Sequence, residues 1–176
     1  NNRWFVPPFD WLKYTGQTRT IPAHSLASGI AAARPPVKML FLANANPLAQ
    51  LSCAAEMAKS MKTMDCIVYS GFFLNQTAEL ADYFLPATTY LEHYDIQTSY
   101  WHSYAGVNQA AIPPLGECRS DVQIAASLAA CLNRKSPGSS LFPAQLNETD
   151  WLDLLLPPAT RRLLGIRHWQ DLIRLR

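Results

Sequence analysis

The sequence has neither the long apolar segments of a membrane protein nor the concentrated positive charge of a nucleic-acid-binding protein. A transmembrane helix needs roughly 20 apolar residues, whereas the apolar stretch at 152–156 is stopped by Pro157 and Pro158. The 15 lysines and arginines are dispersed and leave a net charge of only +2. Because a phosphate backbone is tracked by a basic stripe, we expect neither nucleic-acid binding nor direct membrane insertion.

Cysteine is scarce, and its spacing is not that of the common metal motifs. Cys53, Cys66, Cys118 and Cys131 form no C-x-x-C pair, so zinc-ribbon and iron–sulfur sites are not expected. Each cysteine lies in or beside an apolar segment, and we expect buried, reduced thiols. The chain also starts at Asn1 without a signal-peptide pattern, which leads us to expect a piece processed or excised from a longer product.

What is present is apolar sequence, 49% of 176 residues, in a pattern that predicts an α/β fold. Short apolar runs at 38–43, 66–69 and 83–85 are typical of buried parallel strands. Helical spacing of apolar residues over 48–61 predicts one helix between them, and 77–82 predicts a shorter one. The resulting βαβαβ order implies right-handed crossovers and a Rossmann-like, three-layer segment with a parallel sheet.

The chain is predicted to divide into three parts. Residues 1–36 form an irregular arm that packs on a neighbouring part of a larger protein, with a short helix over 25–33. Residues 37–134 form the α/β domain and include a capping box at Ser120–Gln123 that opens a helix. Residues 135–176 are a linker followed by short helices. We expect those helices at 150–156 and 168–176.

Ligands of parallel sheets bind at the carboxyl ends of the strands. These ends are predicted at 43–46, 70–75 and 86–92. Asn46 is expected to cap the following helix, with Pro47 at its first position, although the same pair is also an ordinary helix start. The positive end of such a helix suits an anionic pyrophosphate. Two roles fit Thr77: capping a helix, or donating a hydrogen bond to a phosphate.

The segment Asn75–Ala87, N-Q-T-A-E-L-A-D-Y-F-L-P-A, is followed by Leu91-Glu92. It resembles the T-A-x-x-A-D-x-x-L-P-A and later E signature of the dimethyl sulfoxide reductase family of molybdopterin oxidoreductases. Asn46-Pro47 resembles the N-P turn of that family, and Gly116–Asp121 (G-E-C-R-S-D) resembles its G-E-x-x-S-D element. Leu91–Asp95 (L-E-H-Y-D) resembles the E-x-x-D spacing of a bacterial branch of that family. Order and spacing agree over about residues 36–133.

The resemblance implies that 37–134 forms half of the site for bis-molybdopterin guanine dinucleotide, which carries molybdenum or tungsten. Transferred residue by residue, it suggests phosphate or nucleotide contacts from Asn46, Asn75 and Thr77, with Asp82 and Glu92 shaping the pocket. The full set of implied cofactor-binding residues is Asn46, Pro47, Gly71, Asn75, Thr77, Asp82 and Glu92.

The sequence departs from the family pattern at the end of the second strand. An acidic residue that recognises guanine is common in the family at this place, which Ser70-Gly71 occupies here, and a threonine is common at the position of Asn75. The sequence therefore leaves open which nucleotide is bound and how strongly.

The resemblance also implies that the catalytic centre lies outside this chain. An iron–sulfur domain, the segment that ligates the metal and a C-terminal pterin-binding domain are expected elsewhere, so no catalytic or metal-binding residue is assigned here, Cys53 included. The expected partners are these remaining domains and an iron–sulfur electron-transfer subunit. The whole enzyme would carry out two-electron chemistry in bacterial anaerobic respiration, in cytoplasm or periplasm, and the isolated chain is expected to be inactive.

Two other functions fit the sequence. The chain could be a non-catalytic, cofactor-free structural domain of the same fold in a larger redox complex, which the absence of an acidic residue at Gly71 favours. It could also be a free-standing nucleotide-binding module.

Glu92 and Asp95 are better explained by hydrogen bonding than as an acid–base pair, since no nucleophile or metal accompanies them. Aromatic residues that pack beneath a cofactor, or against another domain, are Tyr90, Tyr94, Tyr100, Trp101 and Tyr104.

Overall fold

The computed structural model describes residues 20–97, 101 and 104–174, which fall into two compact units. The first unit ends at Ala87 and the second begins at Thr88. This boundary lies inside the segment for which the hydrophobic pattern predicts a single α/β domain. Both units contain helices and strands.

A three-stranded parallel sheet organises the first unit. Its strands, in sheet order, are β1 (Met39–Ala43), β2 (Cys66–Gly71) and β3 (Tyr83–Pro86). Each strand lies where a short apolar run predicts it, and the parallel pairing confirms the α/β fold. The register brings the carboxyl ends to one edge of the sheet, because Ala43 pairs with Ser70 and Gly71 pairs with Pro86.

The helices of the first unit are α1 (Leu26–Ala32), α2 (Pro47–Gln50) and α3 (Ala54–Met61), with 3-10 helices at Ala23–Ser25 and Ala78–Leu80. α1 confirms the short helix expected at 25–33. The single helix predicted over 48–61 is wrong, because the chain is extended at Leu51 (φ −98°, ψ 144°). An extended residue interrupts the helical hydrogen-bond ladder. The helix predicted over 77–82 is likewise reduced to a 3-10 turn.

Two methionines on one side of α3 lie at the centre of the first hydrophobic core. Met57 and Met61 are four residues apart, which places them on the same helix face, and both are 0% exposed. They belong to one buried cluster with Ile30 of α1, Leu42 of β1 and Ile67 of β2. This cluster joins the helices of the first unit to the strands and so fixes the sheet from which the strand ends emerge.

The second unit contains an antiparallel strand pair and short helices. Its described elements are β4 (Asp95–Gln97), β5 (Gly106–Asn108), α4 (Asp121–Lys135), α5 (Glu148–Leu155), α6 (Pro158–Leu164) and α7 (Asp171–Arg174). α5 and α7 confirm the two helices expected near the end of the chain. β4 and β5 were not predicted, because three residues are too few to show an alternating pattern. α6 was not predicted either. Its Pro158 occupies the first helical turn, where proline is tolerated.

The capping box predicted at the start of α4 is confirmed. Ser120 Oγ accepts a hydrogen bond from the backbone N–H of Gln123 at 3.3 Å, and Gln123 Oε1 accepts from the backbone N–H of Ser120 at 3.2 Å. The two bonds satisfy backbone donors that the first helical turn leaves unpaired. α4 has 15 residues. No helix in the described part of the chain has both the length and the apolar character that crossing a membrane requires.

A separate hydrophobic core holds the helices of the second unit together. Leu152 of α5 is 0% exposed, and it clusters with Leu156, Ile166 and Trp169. The ring of Tyr94 meets the Trp169 ring edge-on at a centroid distance of 5.8 Å. The segment that precedes β4 is thereby tied to the helical end of the chain.

The cysteines correct one prediction. All four are free thiols, but Cys53 and Cys131 are exposed, and Cys66 and Cys118 are half-buried. The expectation of burial is therefore wrong. Cys53 lies at the break between α2 and α3, as the N-cap residue of α3.

Candidate functional site

A cavity of about 250 Å³ opens where the parallel strands of the first unit end. This strand-end cavity is lined by residues that follow β1, residues of β2 and residues that follow β2: Asn44, Ala45, Asn46, Gln50, Tyr69, Ser70, Gly71, Phe72, Phe73 and Asn75. None of these lining residues has a charged side chain. The wall offers amides, hydroxyls, backbone groups and aromatic rings, at the place where ligands of parallel sheets bind.

Asn46 lies on the cavity wall and is held there by Thr77. Thr77 Oγ1 donates to Asn46 Oδ1 at 2.5 Å and accepts from the backbone N–H of Leu48 at 3.3 Å. Leu48 is in the first turn of α2, so the Thr77 hydroxyl, and not the Asn46 side chain, caps this helix. Asn46 occupies the N-cap position as predicted, but its side chain makes no capping hydrogen bond. Pro47 takes the first helical position as predicted.

Thr77 acts from behind the cavity wall. It is 0% exposed, and its hydroxyl both donates and accepts within the protein. The structure therefore places Thr77 as a positioning residue for Asn46, outside the set of residues that line the cavity. Because Asn46 Oδ1 is bound to Thr77, the donors left to the Asn46 side chain are its two amide N–H groups.

Asn75 is part of the wall and organises the turn after β2. Its Oδ1 accepts from the backbone N–H groups of Thr77 and Ala78, both at 3.0 Å. Its Nδ2 donates to the Tyr69 hydroxyl at 2.7 Å. Asn75 thus caps the 3-10 turn and connects it to β2, as asparagine side chains do in tight turns. Asn46, Asn75 and Thr77 are brought together as the sequence predicts.

Gly71 makes room for the ring of Tyr69. A Cβ atom at position 71 would lie 2.5 Å from Cε1 of Tyr69, closer than side-chain carbons approach one another. The Tyr69 ring is buried, 5% exposed, and stacks on Phe84 with ring centroids 5.9 Å apart. A side chain at position 71 therefore fits only if this ring moves and its hydroxyl leaves Asn75.

Ser70 carries a buried hydroxyl without a partner. The residue is 3% exposed and lines the strand-end cavity. Within the part of the chain that the structure describes, Ser70 Oγ is the buried side-chain oxygen that no hydrogen bond satisfies. Buried polar groups are nearly always satisfied, so an unpaired one at a cavity wall points to a ligand or a water as the missing partner.

Asp82 lies at the opposite end of the sheet. Its Oδ2 accepts from the backbone N–H of Ile67 at 2.7 Å, and its own N–H donates to the Ile67 carbonyl at 2.9 Å. Ile67 is at the start of β2, about 13 Å along the strand from Gly71 at roughly 3.3 Å per residue. The structure does not bring Asp82 to the cavity. Its bonds fasten the 3-10 turn to the strand, which is a structural role.

Glu92 belongs to the second unit, where it closes a loop. Its Oε2 accepts from the backbone N–H and the hydroxyl of Thr89, at 2.8 and 3.0 Å, and its Oε1 accepts from the backbone N–H of Leu115 at 2.8 Å. The hydrogen bonds from the Thr89 and Leu115 backbones lower the pKa of Glu92 below its usual value. The carboxylate is thus held ionised, as expected for a hydrogen-bonding role across the loop.

The pKa of Asp95 shifts in the opposite direction, upward. Burial raises the pKa of Asp95, although the Ile96 backbone N–H, which donates to its Oδ1 at 2.7 Å, acts against this shift. Nearby Asp121 and Glu148 raise the pKa further. Two carboxyl groups three residues apart are therefore perturbed in opposite directions by different surroundings.

The aromatic residues around β4 and β5 have different environments. Tyr94 belongs to the second core, whereas Tyr90, Tyr104 and Trp101 are 62%, 79% and 94% exposed. Tyr100 lies outside the described residues. No cluster of three or more histidine, cysteine, aspartate or glutamate residues placed to hold a metal occurs in the described part of the chain.

Sequence reasoning missed several residues of the wall. Tyr69 and Phe72 were not singled out, and Ser70 was noted only as part of the place where the acidic residue of the family is missing. Asn44 has a left-handed backbone (φ 54°), a conformation in which asparagine is enriched. An asparagine directly after a buried strand was the available signal for that turn. The unpaired state of Ser70 has no signal in the sequence, because it depends on which groups come near it.

Known proteins share sequence and fold with this chain. A family model described as molybdopterin oxidoreductase matches residues 15–131. The thiosulfate reductase molybdopterin-containing subunit of Salmonella typhimurium is 31% identical over 91 residues, which are 51% of this chain and 12% of that protein. The dimethyl sulfoxide/trimethylamine N-oxide reductase of Rhodobacter capsulatus is 32% identical over 130 residues, 73% of this chain and 15% of that protein.

Among solved structures, acetylene hydratase from Pelobacter acetylenicus has a similar fold. The TM-score is 0.63 at 23% sequence identity, over 85% of this chain and 19% of that one. At this identity the likeness supports the α/β fold. The chain spans less than a fifth of the length of each of these proteins.

Proposed function

Because the chain belongs to the dimethyl sulfoxide reductase family of molybdopterin oxidoreductases, we propose that it helps bind bis-molybdopterin guanine dinucleotide within a longer oxidoreductase. The observation that carries this proposal is the strand-end cavity, where Asn46 and Asn75 meet at the edge of a parallel sheet. When bound, the cofactor's molybdenum or tungsten supplies the two-electron redox chemistry. This chain's part is to hold and orient an organic portion of the cofactor.

The described residues fit a portion of that cofactor. At about 250 Å³, the cavity is slightly smaller than the roughly 300–1,000 Å³ of small-molecule sites. It therefore suits one ring system or one phosphate group, with the remainder of the dinucleotide held elsewhere. Ser70 lines the cavity, and its buried hydroxyl has no partner among the described residues.

The donors differ from those expected from the sequence. α2 has four residues, and so short a helix contributes little of the dipole that a longer one presents to a pyrophosphate. The groups available for a phosphate or a base are instead side chains: the amide N–H groups of Asn46 and the hydroxyl of Ser70. Thr77 and Asn75 act on the ligand indirectly, by fixing Asn46 and Tyr69.

The rest of the enzyme is part of the same proposal. The remaining domains would complete the cofactor site and provide the metal ligand, and an iron–sulfur subunit would exchange electrons with the metal. The name of the thiosulfate reductase relative describes it as a subunit, which supports an assembly of this kind. A role in bacterial anaerobic respiration follows if the substrate resembles those of the relatives.

The test uses the full-length protein purified in its native state. Asn46→Ala and Thr77→Val are expected to lower its molybdenum and pterin content per folded molecule. The first change removes the amide that the wall presents, and the second removes the hydroxyl that holds this amide in place. Asn147→Ala is the matched control, since Asn147 caps α5 in the second unit by accepting from the Asp150 N–H at 2.9 Å. It should reduce stability without changing cofactor content. Unchanged molybdenum and pterin content in both test variants would contradict the proposal.

The close fit of Tyr69 against Gly71 favours a second candidate, a cofactor-free domain of the same fold in a larger redox complex. This fit leaves the cavity wall without an acidic side chain. Denaturing and oxidising the native protein distinguishes the two functions, because released pterin is fluorescent. Absence of the fluorescence would select the cofactor-free domain.

A further inference from the structure

We propose that an arginine-rich surface near the end of the second unit docks on a carboxylate-bearing surface elsewhere in the same longer polypeptide. This arginine surface consists of Arg162, Leu163, Arg167 and His168, all of which are exposed. The inference rests on the proposed function only for the existence of a longer enzyme, and it does not involve the cofactor. It goes further by naming the residues through which the second unit contacts the rest of that enzyme.

The first step is a local excess of positive charge. Basic residues are dispersed over the chain as a whole, but residues 158–174, from α6 through α7, contain four arginines and one aspartate. Their net charge of +3 exceeds the +2 of the entire chain. Like charges on one surface repel one another and destabilise the folded state unless opposite charge lies nearby. The acidic side chains nearest in sequence, Asp153 and Asp171, are already engaged within the unit.

The second step is the contrast between Arg161 and the two arginines of the arginine surface. Arg161 Nε donates to the Leu156 carbonyl at 2.6 Å, and its Nη2 donates to Asp153 Oδ1 at 2.8 Å, so this guanidinium is used inside the unit. The side chains of Arg162 and Arg167 make no ion pair with another described residue. A guanidinium presents a planar fork of N–H donors that matches a carboxylate. Both forks are therefore available to carboxylates outside the described residues.

The third step is that the backbone beneath these side chains is already fixed. Asp171 Oδ2 accepts from the backbone N–H groups of Arg167 and His168, at 2.8 and 3.0 Å. On either side of this pair, Ile166 and Trp169 are buried in the second core. A segment held in this way needs little ordering when a partner surface binds, and a low ordering cost favours association.

The fourth step concerns the apolar member of the arginine surface. Leu163 is 74% exposed and follows Arg162 directly in α6. An apolar contact with a polar rim is the usual composition of a protein interface, so a protein surface that buries Leu163 also brings its rim to the arginines. A lipid surface fits less well. Insertion into lipid needs a broad apolar helix face, whereas α6 has seven residues and one exposed leucine.

The fifth step identifies the occupant as the rest of the same polypeptide. The chain spans less than a fifth of the length of each of the relatives described above. In an enzyme of that length, most of the protein surface that can pack against one segment belongs to other parts of the same polypeptide. A covalently joined surface is also presented at a high effective concentration, so a few ion pairs around one leucine are sufficient for docking.

Carbodiimide coupling, which joins an amine directly to a carboxylate in contact with it, tests the proposal in the purified full-length enzyme. Arg162→Lys and Arg167→Lys keep the positive charge and each supply an amine. Each new amine is expected to couple to an aspartate or glutamate outside these 176 residues, in a product with the mass of a single polypeptide. Mass spectrometry of the peptides identifies the carboxylate.

Arg134→Lys is the matched control for the coupling. Arg134 is an exposed arginine of α4 whose Nη2 lies 3.2 Å from Cys131 Sγ, and it is not part of the arginine surface. This variant should give no coupling beyond the 176 residues. The proposal is overturned if the amines at positions 162 and 167 couple only within these residues, couple to a separate subunit, or couple no more than the amine at position 134.

The salt dependence of Arg167→Gln gives a second measurement. On a solvated surface, removing one of several like charges leaves the Tm unchanged or raises it. Opposite carboxylates, the same change should lower the Tm of the full-length enzyme by about 1–2 °C at low ionic strength. The loss should disappear in about 1 M salt, where charges are screened within roughly 3 Å. Arg134→Gln is the control and should show no such salt dependence. An unchanged or raised Tm in Arg167→Gln at low ionic strength would overturn the proposal.

Failure of the proposed function gives a different result. A native enzyme that releases no pterin, yet couples at positions 162 and 167 to the rest of its own polypeptide, would contradict the cofactor proposal and support the docking surface. A native enzyme that releases pterin but shows no such coupling would contradict the docking surface alone.

Discussion

At the scale of single residues, the site is organised by side chains that hold one another. Thr77 holds Asn46, and Asn75 holds Tyr69. Gly71 permits this arrangement because it has no Cβ atom where the Tyr69 ring lies. Small changes at these positions should therefore affect the shape of the cavity before they affect the fold.

Replacing Gly71 with alanine tests this arrangement. The added methyl group would overlap the Tyr69 ring, and forcing extra volume into a packed site typically costs about 1–3 kcal/mol. The free energy of unfolding in urea should fall by that amount. Gly106→Ala is the control, because a Cβ atom there meets nothing within 4 Å. Equal losses in the two variants would show that the Tyr69 contact is unimportant.

The lowered pKa of Glu92 predicts how stability depends on pH. Because the Thr89 and Leu115 backbones hold the carboxylate ionised, its stabilising contribution is fully present above the usual glutamate pKa. The contribution is lost as the pH falls through the lowered value. Glu92→Gln should therefore be less stable than the unmodified protein at neutral pH and approach it in acid. Thermal unfolding across that range measures the difference, and a constant difference would contradict the prediction.

The raised pKa of Asp95 predicts the opposite dependence of stability on pH. Since burial raises its pKa, the folded state favours the protonated form. Stability should decrease as the pH rises from the usual aspartate pKa through the raised value. Asp95→Asn, which cannot ionise, should be more stable than the unmodified protein at neutral pH and equal to it in acid. Thermal unfolding of this variant across the same pH range measures the trend. An Asn variant that is less stable at neutral pH would show that the negative charge is needed.

At the scale of elements, the sequence is informative where one pattern repeats over enough residues. The three parallel strands and α4 were predicted because their apolar runs or capping box are local signals. The break at Leu51 was not predicted. The helical spacing of the apolar residues continues across it. Contacts such as the bond from the Leu48 N–H to Thr77, 29 positions away in the chain, are not visible in that spacing.

The same reason explains which parts of the site were found. Asn46 and Asn75 could be identified because the carboxyl ends of parallel strands are predictable from the strand order. The roles of Thr77 and Asp82 were harder to assign. Thr77 is buried behind the wall, and Asp82 is bonded to the far end of β2. A resemblance in sequence locates a residue in the fold but does not show which groups the residue is hydrogen-bonded to.

Thr77→Val is the prediction that belongs to this scale. Valine keeps the shape of threonine but loses the acceptor for the Leu48 N–H and the donor to Asn46. Losing a helix cap and leaving buried groups unpaired should cost about 1–3 kcal/mol in the free energy of unfolding. Thr63→Val is the control, because the Thr63 hydroxyl makes one exposed bond, to the Ser60 carbonyl at 2.8 Å. A comparable loss of unfolding free energy in Thr63→Val would show that the hydrogen bonds of Thr77 are not specifically important.

At the scale of the whole molecule, the described residues form two hydrophobic cores, and each draws its members from one unit. The family match runs through both units, so sequence similarity does not mark the boundary between them. Hydrophobic patterning did not mark it either, because it reports local structure and contains no information about which elements share a core. The position of the boundary follows only from the contacts.

Each core contains a fully buried residue whose truncation tests whether the units are separate folding units. Met61→Ala and Leu152→Ala should each cost about 2–5 kcal/mol, the usual loss for removing a buried aliphatic side chain. Native-state hydrogen exchange should then accelerate in β1 and β2 for the first variant and in α5 for the second, because exchange follows the cooperative unit that opens. Equal acceleration in both regions by either variant would show that the two cores unfold as one, and that the contact boundary at Ala87 has no energetic counterpart.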